Sequence, residues 1–130
     1  MSRLIALFGC LVLFASPAMA ISEFGKQWKN EYLGEGADED FVKVGRKAGC
    51  YVCHVKGEDK KKVRNEYGSA VHEFLKAKDF PKEYIKANPD EAKEKILEGF
   101  KKAGEKKSKD GKSFAEKIKN NELPATDAGL

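Results

Sequence analysis

Apolar residues recur at three- and four-residue spacing after the first twenty positions, and alternating runs are absent. Such spacing is typical of amphipathic helices rather than strands. A first helix is predicted to open at Ser22. Its apolar face carries three aromatic side chains, Phe24, Trp28 and Tyr32. Glycines then end this helix, and the acidic segment 38–40 is expected to cap a second helix.

Two longer helices are predicted in the middle of the chain. One spans residues 66–78, and Asp79 is expected to cap a short turn after it. Asn88-Pro89 predicts the start of the other, because proline is tolerated at the first helical position. Gly104 is expected to end that helix.

The C-terminal segment holds a last short helix. Ser113 and Glu116 have the spacing of a capping box, which predicts the start of this helix. Residues 125–130 are expected to form a frayed tail. The predicted fold class is therefore all-α, with about four to five helices.

The first twenty residues have a different character. Arg3 precedes an apolar run over residues 4–15, and residues 18–20 (Ala-Met-Ala) form an A-x-A cleavage site. The run is shorter than the roughly 20 apolar residues that span a bilayer. These features predict a signal peptide cleaved after Ala20, with a retained N-terminal anchor as the alternative. The exported domain would cover 21–130, with no stable membrane insertion after cleavage.

The charge balance is only mildly basic. The 130 residues include 25 Lys and Arg against 21 Asp and Glu, a formal charge of +4. Loss of Arg3 with the signal leaves 24 basic residues against the same 21 acids. The length fits one domain, and mixed-sign charge is typical of a solvated surface. With predicted export and no binding motif, this balance argues against nucleic-acid partners.

The informative segment is the C-x-x-C-H sequence that runs from Cys50 to His54. This is the attachment motif of c-type haem, in which two thiols on one turn reach the two vinyl groups and the next histidine binds iron. A thioredoxin-like pair would need a βαβ context, and a zinc knuckle would need two more ligands. A disulfide would leave His54 unexplained. The sequence therefore predicts one covalent haem c on Cys50 and Cys53, with His54 as proximal ligand.

The second axial ligand is left open. Both methionines, Met1 and Met19, belong to the predicted signal, which excludes the Met/His pair of ordinary electron-transfer cytochromes c. His72, the only other histidine, is the first candidate. Gly68, one helical turn before it, would let a haem face approach closely. An open or water-occupied position is the second alternative, and Lys or Tyr is the third.

Several segments resemble known cytochromes. The motif lies behind an N-terminal helix, with further helices following, which resembles class I c-type cytochromes. Residues 54–57, 60–68 and 110–114 are similar to the small monohaem c-type cytochromes of planctomycetes and anammox bacteria, in particular the NaxLS type. The resemblance implies a small class I-like cytochrome c fold around one covalently bound haem, in which the first helix packs across the helix that ends at Gly104.

The resemblance also implies a location and partners. The location would be the periplasm or an equivalent extracytoplasmic compartment, here the anammoxosome. The partner would be a second copy or another small cytochrome, as in the NaxLS heterodimer. NaxLS-type cytochromes use a distal Cys, which this chain lacks once Cys50 and Cys53 are bound to haem. A partner chain would have to supply that ligand, or His72 would take the equivalent place.

Two functions of different classes follow. One is an electron carrier of low potential, because no Met ligand is available. Its basic cluster at residues 60–64 would steer an acidic redox partner. The alternative is a haem protein that binds or senses NO or CO at an open or displaceable distal position. A catalytic role such as peroxidase is weaker, since only His72 resembles a general base near the haem.

Overall fold

The computed structural model describes the backbone of residues 18–130 and the side chains of residues 22–130. Six α-helices follow one another in this part: α1 (Ala18–Tyr32), α2 (Glu39–Ala48), α3 (Glu66–Phe74), α4 (Lys82–Ala87), α5 (Pro89–Gly104) and α6 (Phe114–Lys119). Two short 3-10 turns lie at Gly49–Val52 and Ala77–Asp79. No β-strand forms between residues 18 and 130, so the all-α prediction is confirmed for this part of the chain.

The predicted signal peptide lies largely outside the described residues. Only its last three positions are included, where they form the start of α1. None of the helices described is long and apolar enough to cross a membrane.

The long helix α5 organises the core. It packs against α1, α3, α4 and α6, and the predicted packing of the first helix across it is confirmed. The rings of Tyr32 on α1 and Phe100 on α5 lie 6.5 Å apart between centroids. Trp28, Ile96 and Phe100 are each at most 4% exposed. Burying a side chain of this size contributes on the order of 1.5–3 kcal/mol, so these contacts dominate the stability of the fold.

Short polar side chains cap the starts of α2 and α6. Asp38 accepts a hydrogen bond from the Phe41 amide at 2.9 Å, as expected for the acidic segment. Ser113 accepts one from the Glu116 amide at 3.1 Å, which confirms the capping prediction for α6. These bonds satisfy amides that the first turn of a helix leaves without an intrahelical partner.

The helix boundaries differ from the predictions in two places. The first helix begins at Ala18 rather than at Ser22. The predicted helix 66–78 ends at Phe74, because Leu75 turns to extended backbone (φ −122°, ψ 110°) and buries its side chain against Gly99. This burial, which joins distant parts of the chain, outweighs the local helical pattern.

The region after α3 contains one helix more than predicted. Asp79 caps nothing and closes the turn Ala77–Asp79. Pro81 instead precedes α4, which forms where the sequence predicted only a short turn. Six helices therefore replace the four to five expected in this part of the chain.

The prediction of a frayed C-terminal tail is wrong for residues 125–128. The Lys56 amide donates to the Ala128 carbonyl at 2.8 Å, and the Glu66 amide donates to the Asp127 carboxylate at 2.9 Å. Pro124 and Ala128 are buried. The tail crosses the start of α3, where its polar groups find partners about sixty positions away in the sequence, beyond the reach of a local pattern.

Candidate functional site

The two cysteines and His54 lie on one tight turn. Helix α2 ends at Ala48, and the φ of +53° at Gly49, which follows it, is a backbone conformation that glycine adopts easily. The chain then winds so that the Cys53 and His54 amides both donate to the Cys50 carbonyl, at 3.3 and 3.1 Å. Both cysteines are free thiols, with Cys50 exposed and Cys53 partly buried. We call residues 50–54 the attachment turn.

His54 is oriented by a backbone carbonyl. Its Nδ1 lies 3.1 Å from the Val63 carbonyl oxygen. The next residue, Arg64, pairs with His54 in an isolated antiparallel β-bridge, which places the two segments side by side. A carbonyl oxygen only accepts hydrogen bonds, so Nδ1 carries the proton. In the neutral imidazole Nε2 then holds the lone pair, which is the form in which histidine binds a metal while its other ring nitrogen is hydrogen-bonded.

Asn65 holds the attachment turn from inside the protein. Its side chain is fully buried, and its amide nitrogen donates to the carbonyls of Tyr51 and Val52, both at 3.0 Å, and of His54 at 3.2 Å. Its side-chain oxygen accepts from the Gly68 amide at 2.8 Å, which caps α3. One side chain therefore fixes the turn and the first helix after it relative to each other.

Gly68 allows α3 to lie directly against the turn. A Cβ at this position would overlap the Cys53 carbonyl oxygen. The close approach that this glycine permits among the described residues is therefore to the backbone of the attachment turn, and the expectation that Gly68 makes room for a haem face stays a prediction.

The Cys53 thiol is poorly suited to thiolate chemistry. Its pKa is raised to about 12, mainly by burial and additionally by the neighbouring Cys50, while Arg64 opposes the shift. The thiol is therefore protonated at neutral pH. Because the thiolate is the nucleophile in disulfide exchange and the ligand in zinc sites, this environment disfavours the thioredoxin-like and zinc interpretations of the motif.

His72 lies on α3, the helix that follows the attachment turn. His72 is exposed on α3, and no hydrogen bond among the described residues joins it to Cys50, Cys53 or His54. Partial burial, followed by the positive charges of Arg64 and Lys76, lowers its pKa. It is thus neutral at neutral pH, the form that binds metals. Its role as distal ligand stays a prediction.

Positive charge lies beside the attachment turn. The Lys60 ammonium stands 5.2 Å from the centre of the Tyr51 ring. Lys61, Lys62 and Arg64 are exposed in the same loop. A negatively charged surface approaching Cys50 would therefore meet a basic rim.

A cavity of about 880 Å³ opens elsewhere, among α1, α2, α5 and α6. Tyr32, Phe41, Leu97 and Ile118 contribute to its apolar part, and carboxylates including Glu31 stand at its rim. The attachment turn contributes nothing to its lining, so the cavity and the turn are separate features of the surface.

Sequence reasoning missed two residues that shape the attachment turn. Asn65 could have been found, since Asn is a preferred residue immediately before a helix. The Val63 carbonyl could not, because a backbone acceptor leaves no mark in the sequence.

Comparison with models of protein families, with curated proteins and with solved structures finds no match to this chain. Functional inference therefore rests on the residues of the attachment turn and on their geometry.

Proposed function

We propose that this chain is an exported monohaem c-type cytochrome that carries single electrons between redox partners. The observation that carries the proposal is the pairing of His54 Nδ1 with the Val63 carbonyl at 3.1 Å, next to two free thiols on the same turn. An iron-binding histidine uses Nε2 for the metal while Nδ1 donates a hydrogen bond, and the hydrogen bond of His54 Nδ1 matches that arrangement.

The residues present fit a covalently held haem c. Each thiol would add across one vinyl group, with sulfur bonding one carbon and the thiol hydrogen going to the other, so that nothing is released. The protonated state of Cys53 at neutral pH suits this addition. Cys50 and Cys53 would hold the macrocycle, and His54 would bind the iron. The haem, when bound, supplies a one-electron Fe(III)/Fe(II) couple.

Asn65 and Gly68 prepare the turn for this role. Because Asn65 bonds three carbonyls of the turn, Cys50, Cys53 and His54 are held in one arrangement before any group binds. Pre-orientation of this kind lowers the conformational entropy lost when the group is attached.

The reduction potential would lie below that of Met/His cytochromes. No methionine follows Met19 in the sequence, and an axial Met is what raises the potential of the ordinary electron-transfer cytochromes c. His72, water, or a Lys or Tyr side chain would complete the iron coordination, or a partner chain would do so.

The basic rim favours an acidic redox partner. Lys60, Lys61, Lys62 and Arg64 would speed the approach of a negatively charged protein, and salt would slow it. A homodimer or a heterodimer with another small cytochrome is the assembly that we propose, in an extracytoplasmic compartment such as the periplasm or the anammoxosome.

A gas-binding haem protein is the second candidate. The exposed position of His72, without a described hydrogen bond that fixes it toward the attachment turn, favours an open or displaceable distal position. NO or CO would then occupy that position.

Absorption spectra of the haem-loaded chain test both candidates. For the electron carrier we expect ferric and ferrous spectra of a low-spin, six-coordinate iron that CO does not change. A prompt shift of the ferrous band with CO would favour gas binding. His54→Ala should lose the normal spectrum, while Tyr51→Phe, a matched change inside the turn, should keep it. A normal spectrum in His54→Ala would overturn the assignment of the proximal ligand.

A further inference from the structure

Three redox-active side chains form a continuous row through the core. The Trp28 indole N–H donates to the Tyr67 hydroxyl at 2.9 Å. The rings of Trp28 and Tyr32 lie 5.2 Å apart between centroids. Tyr67 comes from α3, and the other two come from α1. We call Tyr67, Trp28 and Tyr32 the aromatic row.

One end of the row lies at the attachment turn. Tyr67 directly precedes Gly68, whose backbone packs against the Cys53 carbonyl. Burial raises the pKa of Tyr67 well above its usual value, and the neighbouring Cys53 and Tyr32 add to this shift. The row therefore ends one residue from Gly68, which contacts the backbone of the cysteine whose sulfur would hold the haem.

The other end opens on the cavity of about 880 Å³. Tyr32 lines this cavity together with Glu31, Glu35 and Asp38. Trp28 and Tyr67 are 4% and 0% exposed, whereas Tyr32 is only partly buried. A phenol proton can thus leave from Tyr32 to a carboxylate or to water, but it has no such exit from Tyr67.

We propose that the aromatic row carries electrons from Tyr32 to an over-oxidised haem at the attachment turn, and so protects the haem from hydrogen peroxide. The inference rests on the proposed function, because the oxidising equivalent arises at the haem. Tyrosine and tryptophan are the aromatic side chains that give up one electron most readily, and the row contains the only Trp and two of the four Tyr.

Electrons and protons balance as follows. Tyr67 gives one electron to the oxidised haem site. Trp28 then passes an electron to the oxidised Tyr67, and Tyr32 passes one to the oxidised Trp28. Tyr32 then releases its phenol proton at the cavity and becomes a neutral radical. Reduction of one hydrogen peroxide to two waters takes two electrons and two protons: the ferrous haem would supply one electron, Tyr32 would supply the other electron together with its phenol proton, and water would supply the second proton.

The remaining tyrosines lie outside the row and provide controls. Tyr84 stacks with Phe80 at 6.1 Å between centroids. Tyr51 lies within the attachment turn beside Cys50. If the haem oxidised a neighbouring side chain directly rather than through the aromatic row, we would expect Tyr51 to be oxidised first.

The test treats the haem-loaded chain with hydrogen peroxide in the presence of a radical-trapping nitroso compound and locates the adduct by peptide mass spectrometry. We expect the adduct on Tyr32. Tyr32→Phe and Trp28→Phe should lose that adduct and bleach the haem faster, while Tyr84→Phe should behave like the unchanged chain. Thermal unfolding checks that Trp28→Phe folds, and Tyr32→Phe, at a partly buried side chain, gives an independent reading.

Each failure has its own signature. Adducts on Tyr51 instead of Tyr32, or a Tyr32 adduct that survives Trp28→Phe, would overturn the aromatic row as a relay and leave the cytochrome intact. A chain that attaches no haem, seen directly in the absorption spectrum, would overturn the proposed function and the relay with it.

Discussion

Replacement of Asn65 by Ala tests how the attachment turn is held. The change removes the amide that donates to three carbonyls of the turn and the oxygen that accepts from the Gly68 amide. It leaves in place the hydrogen bond that the backbone N–H of residue 65 donates to the Cys53 carbonyl.

The expected loss of stability follows from these bonds. Loss of a helix-capping side chain costs about 1 kcal/mol. Of the three carbonyls, only that of Val52 belongs to a buried residue, and a buried acceptor without a partner costs about 1–3 kcal/mol. Tyr51 and His54 are partly exposed, so water can replace their lost bonds. Asn65→Ala should therefore destabilise the chain by about 2–4 kcal/mol, a large share of the roughly 5–15 kcal/mol typical of a domain.

Urea unfolding of the haem-loaded chain measures this loss as a lower midpoint at unchanged slope. Asn65→Asp separates the two roles, because it keeps an acceptor for the Gly68 amide but turns a carboxylate toward the carbonyls. We expect it to be at least as destabilising as Ala. Asn88→Ala is the matched control, since Asn88 is exposed, caps no amide of α5 and makes a single side-chain hydrogen bond, to the Tyr84 carbonyl at 3.3 Å. A wild-type midpoint for Asn65→Asp would refute the role of the amide in holding the turn.

Three further changes have defined outcomes. Gly68→Ala should destabilise the chain by about 1–3 kcal/mol, the usual cost of overpacking, because its Cβ would overlap the Cys53 carbonyl oxygen; thermal unfolding measures this. Burial alone would raise the pKa of Glu66, but hydrogen bonds from Ser108, Lys109 and Thr126 lower it overall. The stabilising contribution of Glu66 is therefore fully present above its pKa in the unfolded chain, about 4.3. It is lost as the pH falls through the lower pKa of the folded chain. Glu66→Gln should therefore lower the stability near neutral pH and make the stability depend less on pH in the acid range. His72→Ala should turn a low-spin ferric spectrum high-spin if His72 is the distal ligand.

Matched variants sharpen these tests. Gly25→Ala places a Cβ in open space on a helix, so it should leave stability unchanged or improve it. Glu94→Gln changes an exposed carboxylate on α5 and should keep the acid dependence of the unchanged chain. An equal loss in Gly25→Ala, or an unaltered acid profile in Glu66→Gln, would contradict the contacts inferred here. An unchanged spectrum in His72→Ala would remove that residue from the iron.

Local signals in the sequence were sufficient for most helices. Asp38 and Ser113 begin α2 and α6 as expected, and Asn88-Pro89 precedes α5, because capping and proline chemistry act within one turn of helix. The boundary at Phe74 was missed, since the contact of Leu75 with Gly99 is made only in the folded chain.

The attachment turn shows the same division. Its thiols and His54 follow from the C-x-x-C-H spacing alone. The tautomer of His54 depends on the Val63 carbonyl. The anchoring of the tail depends on Glu66, which accepts from the Thr126 amide at 3.0 Å. Both contacts join positions without a shared periodicity, and for that reason only the three-dimensional structure shows them.

The mass of the chain after expression with a haem-attachment system tests the central claim most directly. We predict an increase by one haem that survives denaturation and maps to the peptide containing Cys50 and Cys53, with only partial attachment in either single Cys→Ala variant and none in the double variant. A chain that keeps its unmodified mass, while a known c-type cytochrome is loaded in the same cells, would contradict the account.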